Sequence, residues 1–181
     1  MSLELIIGPM FAGKSTELIR RTNLLKFKNK QILVVNHIFN QRYEKGVTTH
    51  DHHTLQCSPE YYIETDLLSN VFQHPKYAEC DAIIIEELQF FTDAIFILEM
   101  IERDHKIVIA SGLSGSAERE PMGNISELIC HADNITFLTA ICKKCDKPGI
   151  FSKRVNCMNG TVDIGGNDKY LAVCRYHFLN E

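Results

Sequence analysis

The sequence predicts an α/β fold in which a parallel sheet is covered by helices on both faces, followed by a small unit tied together by a metal. Three observations predict it. Short unbroken apolar runs alternate with stretches of helical spacing over residues 1–140, and strands of that kind need cover on both faces. A Gly-rich turn, Gly8 to Ser15, separates the first such run from the first helical stretch. From residue 141 the pattern changes to cysteine pairs and the turn dipeptides Pro148-Gly149, Asn159-Gly160 and Gly165-Gly166, which read as small hairpins and a loop. The boundary is placed near 140, giving a sheet core over 1–140 and a smaller unit over 141–181.

The elements follow in order. Leu3-Glu4-Leu5-Ile6-Ile7 is a buried strand ended by Gly8-Pro9. A helix runs from Ser15 to Phe27, with Leu18, Ile19, Thr22 and Leu25 at helical spacing. A second β-branched run spans 31–36. Residues 38–60 are polar, histidine-rich and contain Pro59, so they read as loop with one short strand. Asp66 to Phe72 reads as a short helix. Ala82-Ile83-Ile84-Ile85 is a third strand that runs into Glu86-Glu87. Thr92 is placed to cap a helix through about Arg103, with Ala94, Ile95, Ile97, Leu98 and Ile101 on one side. A fourth strand spans 106–110, a helix 122–131 and a fifth strand 135–138.

Composition narrows the function classes. The 181 residues are 45% hydrophobic and 23% charged, with 19 Lys+Arg against 23 Asp+Glu and a net charge of −4. This is an ordinary globular balance. No apolar run approaches the ~20 residues that span a bilayer, and Met1-Ser2-Leu3-Glu4 lacks the basic start of a secretion signal. The mild acidity argues against a non-specific nucleic-acid binder. Residues 1–140 hold 12 basic and 19 acidic side chains, residues 141–181 hold 7 basic and 4 acidic, so the tail differs in kind from the body. Cys57, Cys80, Cys130, Cys142, Cys145, Cys157 and Cys174 make an odd number. Together with the missing signal this favours a cytoplasmic protein whose clustered cysteines hold metal.

Gly8-Pro9-Met10-Phe11-Ala12-Gly13-Lys14-Ser15 fits G-x-x-x-x-G-K-[ST] and lies between a strand and a helix, the context a phosphate cradle requires. Gly13 lets the backbone approach phosphates and point N–H groups at them, and the helix N-terminus adds partial positive charge. Lys14 brings an ammonium to the β- and γ-phosphates, and Ser15 offers a hydroxyl to Mg²⁺. Glu86 and Glu87 stand at the carboxyl end of a buried strand, the edge where ligands sit in a parallel sheet. One carboxylate there can hold magnesium and a second can accept a proton from an attacking hydroxyl.

A GTPase would carry Asn-Lys-x-Asp, which is missing from the sequence. Asp163-Ile164-Gly165-Gly166 fits D-x-x-G but lies too far from the cradle. A motor or helicase is usually longer, so a small-molecule kinase fits best. Cys142-Lys143-Lys144-Cys145 and Cys174-Arg175-Tyr176-His177 form C-x₂-C and C-x₂-H, a donor set that suits a closed, structural tetrahedral Zn²⁺. The four remaining cysteines read as buried or incidental thiols. His50-Asp51-His52-His53 reads as solvated loop, because no second ligand cluster accompanies it.

Gly8 to Leu18 closely resembles the opening of the type II thymidine kinases, the cellular and poxvirus-like family. Glu86-Glu87-Leu88-Gln89-Phe90-Phe91 resembles that family's Asp-Glu-Gly-Gln-Phe-Phe, and Thr49-His50-Asp51 its flexible loop. Leu138-Thr139-Ala140, the cysteine pair, Ser152-Lys153-Arg154 and Ile164 to Tyr170 resemble its zinc and lasso region. The likeness covers nearly the whole chain. It implies a P-loop (RecA-like) parallel sheet core with a small zinc-binding lasso domain, and transfer of the ATP γ-phosphoryl group to the 5′-hydroxyl of thymidine, with deoxyuridine a candidate second acceptor.

By that resemblance Glu87 is the general base. Gly8, Pro9, Met10, Phe11, Ala12, Gly13, Lys14 and Ser15, with Arg42, Glu86 and Gln89, serve ATP and magnesium. Met10, Phe90, Leu113 and Ala117 wall the nucleoside pocket. Thr161, Val162, Asp163, Ile164 and Gly165 form a lasso that grips thymine through main-chain groups, with Tyr170 near the sugar. Cys142, Cys145, Cys174 and His177 hold zinc. A homotetramer and feedback inhibition by dTTP are implied in the same way.

The chain departs from the family pattern. Glu86 replaces an Asp, Asn40 an Asp, and His52 a common basic residue. Leu88 replaces a Gly, which implies strain if that position needs φ > 0. Ala117 replaces a Phe that covers the nucleoside, removing a stacking partner worth on the order of 1 kcal/mol. Retained activity with weaker or altered base selectivity is expected. Two rival expectations are an ATP-dependent nucleic-acid protein using the zinc unit, favoured by the basic tail, and a weakened nucleotide sensor, favoured by Glu86, Leu88 and Ala117.

Overall fold

The computed structural model describes residues 1–40, 47, 54–55, 57–155 and 169–180. Its centre is a six-stranded sheet. The strands are β1 (Ser2–Gly8), β2 (Ile32–His37), β3 (Tyr62–Thr65), β4 (Ala82–Ile85), β5 (Ile107–Leu113) and β6 (Asn134–Phe137). They lie in the order β3-β2-β4-β5-β1-β6, and every neighbouring pair is parallel. All carboxyl ends therefore open on one edge.

The unbroken apolar runs have a simple cause. Alternate residues of each strand enter different cores. Leu33, Val35, Ile83, Ile85, Val108 and Ala110 face one cluster, while Val34, Ile84 and Ile109 face the other. Helix α1 (Lys14–Phe27) covers the second face through Leu18, Ile19 and Leu25. The first face is covered by Leu68, Val71, Ala94, Ile97, Met100 and Leu128. Each such aliphatic side chain contributes about 2 kcal/mol on leaving water.

Four local expectations differ. The sheet has a sixth strand, β3, within a stretch whose alternation is obscured by Tyr62 and Glu64. The segment expected as one helix from Thr92 is a 3₁₀ turn, Ala94–Phe96, followed by a π turn, Glu99–Arg103. No capping side chain starts it, because the Asp93 carboxylate accepts the N–H groups of Leu68 and Ser69 at 2.8 and 2.9 Å. Ile95, expected inward, is 42% exposed, and Met100 fills the core instead. The 66–72 helix is a 3₁₀ helix, Leu68–Gln73. In the 122–131 stretch only α2 (Ile125–Leu128) is α-helical, followed by a 3₁₀ turn.

Beyond the sheet, β7 (Ala140–Ile141) and β8 (Pro148–Gly149) form one antiparallel pair, and β9 (Phe151–Arg154) and β10 (Tyr170–Val173) another. The Lys143 N–H donates to the Ala172 carbonyl at 2.9 Å and the Ile150 N–H to the Val173 carbonyl at 3.0 Å, joining the pairs. Helix α3 (Arg175–Asn180) closes the described chain.

Candidate active site

The cradle is built at the end of β1. A Cβ on Gly8 would stand 2.5 Å from the Leu138 carbonyl oxygen, so only glycine fits where β1 turns against the strand beyond it. Phe11 (φ 64) and Gly13 (φ 79) are both left-handed, which curls the loop around its own N–H groups. A side chain at Gly13 would meet nothing within 4 Å, so this face of the loop is open. Helix α1 starts at Lys14, and the Glu17 N–H donates to the Gly13 carbonyl at 3.0 Å. Lys14 Nζ donates to the Pro9 carbonyl at 2.7 Å, folded back along the loop where phosphates would bring a stronger acceptor.

The acidic pair sits on the same sheet edge. β5 lies between β1 and β4, with Gly8 opposite Leu113 and Ile85 opposite Ala110. Glu86 is 4% exposed and its N–H donates to the Val35 carbonyl at 3.1 Å. Glu87 is half-buried and adopts φ 55, ψ 43. The condition set for strain at Leu88, a positive φ, is met by Glu87 instead, and Leu88 is fully buried at the start of a 3₁₀ turn, Leu88–Phe90. The Gln89 amide donates to the Glu87 carboxylate and accepts the Leu113 N–H at 3.0 Å.

Beside it, a buried His37 ring stands 4.7 Å from Phe91, 4.8 Å from Phe39 and 5.5 Å from Phe90. Burial holds its pKa below the ordinary value, although the Asp66 main chain and the charges of Asp66, Glu87 and Asp93 oppose this.

The cysteine-bearing unit reaches the cradle. The Met10 N–H donates to the Ser152 hydroxyl at 2.9 Å, and both residues are buried. Ala117 lies in the turn after β5, where the Glu118 and Glu120 N–H groups donate to the Ser116 hydroxyl at 3.1 Å each. From this turn Glu118 pairs with Arg154 at 3.7 Å, and the Arg119 guanidinium lies 4.8 Å from the Phe178 ring. Arg154 in turn covers the ring of buried Tyr170 at 5.8 Å. The turn carrying Ala117 and the strand carrying Tyr170 are thus brought together. Arg42 and Thr161, Val162, Asp163, Ile164 and Gly165 lie outside the described residues, as do His50, His52 and His53. Sequence reasoning gave His37 no role, and placed Ser152 only in a motif of the zinc and lasso region, with no sign that its hydroxyl meets the cradle.

Cys142, Cys145, Cys174 and His177 converge as expected, their ligand atoms all within 4.8 Å of one another. Sulfur-to-Nδ1 separations are 3.3–3.6 Å, and the Cys145 and Cys174 sulfurs are 3.8 Å apart. A tetrahedron with Zn–S near 2.3 Å and Zn–N near 2.0 Å has edges of about 3.8 and 3.5 Å, so the donor set fits zinc in both identity and size. Desolvation pushes the Cys142 thiol up, but the Cys174 and Lys144 N–H groups, with Cys145 and His177, outweigh it and hold it at about 6. Cys145 is shifted up in spite of the Lys147 N–H, through burial and its two thiol neighbours. A cation at the centre removes that conflict.

Among the described residues no helix is long and apolar enough to cross a membrane. The family model for thymidine kinase matches residues 1–178. The thymidine kinase of raccoon poxvirus is 38% identical over 179 residues, 99% of this chain and 97% of its own. That of myxoma virus (strain Uriarra) is 40% identical over 173 residues, 96% of this chain and 93% of its own. That of vaccinia virus (strain Western Reserve) is 36% identical over 178 residues, 98% and 97% of the two chains. With the family model matching residues 1–178 and these relatives 36–40% identical over nearly the whole of both chains, the chain belongs to the thymidine kinase family.

Proposed function

We propose that the protein is an ATP-dependent thymidine kinase, moving the γ-phosphoryl group of ATP to the 5′-hydroxyl of thymidine, and of deoxyuridine, to give the 5′-monophosphate. The observation that carries this is the placement of the Gly8–Ser15 cradle and the Glu86–Glu87 pair on one sheet edge with a single strand between them. The cradle and helix N-terminus hold the triphosphate, with Lys14 turning from Pro9 to the phosphates and Arg42 adding a second cation. Glu87 takes the proton from the acceptor hydroxyl. Phosphoryl transfer has a loose transition state, so positioning and charge stabilisation dominate and the base adds a smaller share.

Magnesium fits the hard oxygen donors present, the Ser15 hydroxyl and the buried Glu86 carboxylate, and when bound supplies charge neutralisation at the phosphates. Zinc in the Cys142–Cys145–Cys174–His177 cluster is structural, fixing the ends of segment 146–173. The division into a core over 1–140 and a zinc lasso unit over 141–181 follows from it. Met10, Phe90, Leu113 and Ala117 wall the nucleoside, Thr161 to Gly165 grip the base, and Tyr170 lies near the sugar. The family likeness supports a homotetramer, inhibition by dTTP and a cytoplasmic location. The test is transfer of labelled γ-phosphate from ATP to thymidine by the purified chain, measured beside deoxyuridine. Labelled monophosphate is expected, and ATP binding without any transfer would replace the kinase by a nucleotide sensor.

A further inference from the structure

We propose that Gln89 is a positioning residue that orients the Glu87 carboxylate and ties it to the end of β5, and is not a ligand of the nucleotide. The inference rests on the assignment of Glu87 as the base.

A carboxamide has one acceptor end and one donor end, and the two ends here are not interchangeable. The Leu113 main-chain N–H can only donate, and it lies 3.0 Å from Gln89 Oε1. That fixes the amide's orientation and turns Nε2 toward Glu87 Oε2. Rotating the amide by half a turn would set donor against donor at Leu113 and acceptor against acceptor at Glu87. The assignment of oxygen and nitrogen thus follows from the network. Gln89 is 5% exposed, so water is a poor substitute for either partner.

The surroundings are shaped to this amide. A Cβ on Gly112 would stand 3.2 Å from Gln89 Oε1 and 2.7 Å from Ile125 Cδ1. A Cβ on Gly123, at φ +54, would stand 2.9 Å from the Gln89 main-chain oxygen. Side chains at either position would push the turn away. The turn itself is held under strain. Glu87 is left-handed at φ 55, a conformation that a glutamate keeps only when its neighbours over-determine it. The Phe90 N–H donating to the Glu87 carbonyl at 3.0 Å holds the backbone, and the Gln89 amide holds the side chain.

The consequence is mechanical. A general base must present one oxygen within about 3 Å of the proton it takes. A half-buried carboxylate bonded only by its own backbone would rotate about its last torsion. One N–H on Oε2 restrains that torsion and leaves Oε1 for the acceptor hydroxyl. The other end of the same amide holds Leu113, a wall of the proposed nucleoside pocket, so base and wall are joined by one side chain. This is the relation of a base to the third group that orients it.

The experiment is a cycle of four proteins: wild type, Gln89→Met, Glu87→Gln and the double variant, each with kcat and both KM values. Gln89→Met is expected to lower kcat by about tenfold or more while KM for ATP stays within about twofold. In the Glu87→Gln background the same change is expected to lower kcat by less than about twofold, since there is no base left to orient. Equal losses in both backgrounds would overturn the proposal, as would a Gln89→Met protein with wild-type kcat or one altered only in KM for ATP. Should Gln89→Met fail to fold, Gln89→Glu keeps the size and the acceptor for Leu113 while replacing the donor by a carboxylate oxygen. It is expected to lose kcat to a similar degree, and wild-type kcat in it would overturn the proposal equally. A Glu87→Gln protein with wild-type kcat removes the base assignment and the inference together. A slow Glu87→Gln beside a fast Gln89→Met removes the inference alone.

Discussion

The Ser152 hydroxyl accepts the Met10 N–H at 2.9 Å across 142 positions of sequence. The donor belongs to the proposed phosphate cradle and the acceptor to β9, which pairs with β10 beside the cysteine cluster. The cradle is therefore shaped partly from outside its own motif, and the cysteine-bearing unit has a direct hold on it.

Ser152→Ala leaves the buried Met10 N–H without that acceptor, which costs about 1–3 kcal/mol. Urea denaturation should show a loss of that size, and KM for ATP should rise more than kcat falls. Ser152→Thr keeps the hydroxyl and should restore both. An alanine variant equal to wild type in stability and KM would remove the link between the two units.

Removing metal should act at the same place. The purified chain is expected to carry one zinc per chain by elemental analysis, and Cys142→Ser or a strong chelator should release it. Loss of thymidine phosphorylation should accompany release, because β9 and β10 are pinned through the cluster, and zinc should restore it. Full activity in a zinc-free protein would show that the hairpins hold themselves.

Acid should loosen the helix that follows the cradle. Glu17 accepts Arg20 Nε at 2.7 Å and Arg21 Nε at 2.8 Å, and Arg21 continues to Glu4 and Thr136 at 2.6 Å each. The hydrogen bond from Arg20, then that from Arg21, lower the Glu17 pKa from 4.5 to about 2 against the opposing effect of burial. The folded state thus favours the ionised carboxylate. Its stability contribution is present in full above 4.5 and is lost as pH falls toward 2. Unfolding free energy should drop across that window in wild type, and less steeply in Glu17→Gln. Parallel acid limbs in the two proteins would contradict this.

Ala117 sets a prediction on selectivity. Ala117→Phe restores an aromatic cover and should lower KM for thymidine several-fold, an effect on the order of 1 kcal/mol. Wild type should retain some preference for thymidine over deoxyuridine and deoxycytidine. Equal turnover of all three would remove the pocket assignment.

Much of this was legible in the sequence, for physical reasons. β1, β2, β4 and β5 are buried on both faces, so their apolar runs are unmistakable, and the cradle and cysteine pairs have fixed spacings. β3 escaped because a short, partly exposed strand carrying Tyr62 and Glu64 has no apolar run to show. The helix expected from Thr92 failed because Asp93 spends its carboxylate on Leu68 and Ser69, a tertiary demand that spacing does not reveal. Strain at Leu88 was expected only if that position needed φ > 0; the positive φ falls one position earlier, on Glu87. The contact of Ser152 with Met10 spans 142 positions and that of Gln89 with Leu113 spans 24, and a hydroxyl or an amide does not show such a partner until the fold supplies it.

Transfer of phosphate to thymidine by the proposed cradle and carboxylate base on one sheet edge underlies the predictions above. Its most direct test is label transfer from γ-labelled ATP to thymidine by wild type and by Glu87→Gln, both checked for folding and ATP binding. Wild type should give labelled thymidine monophosphate, and Glu87→Gln a kcat lower by roughly 10²–10⁴ with ATP binding kept. No transfer by the wild-type chain, or an undiminished rate in the variant, would contradict it.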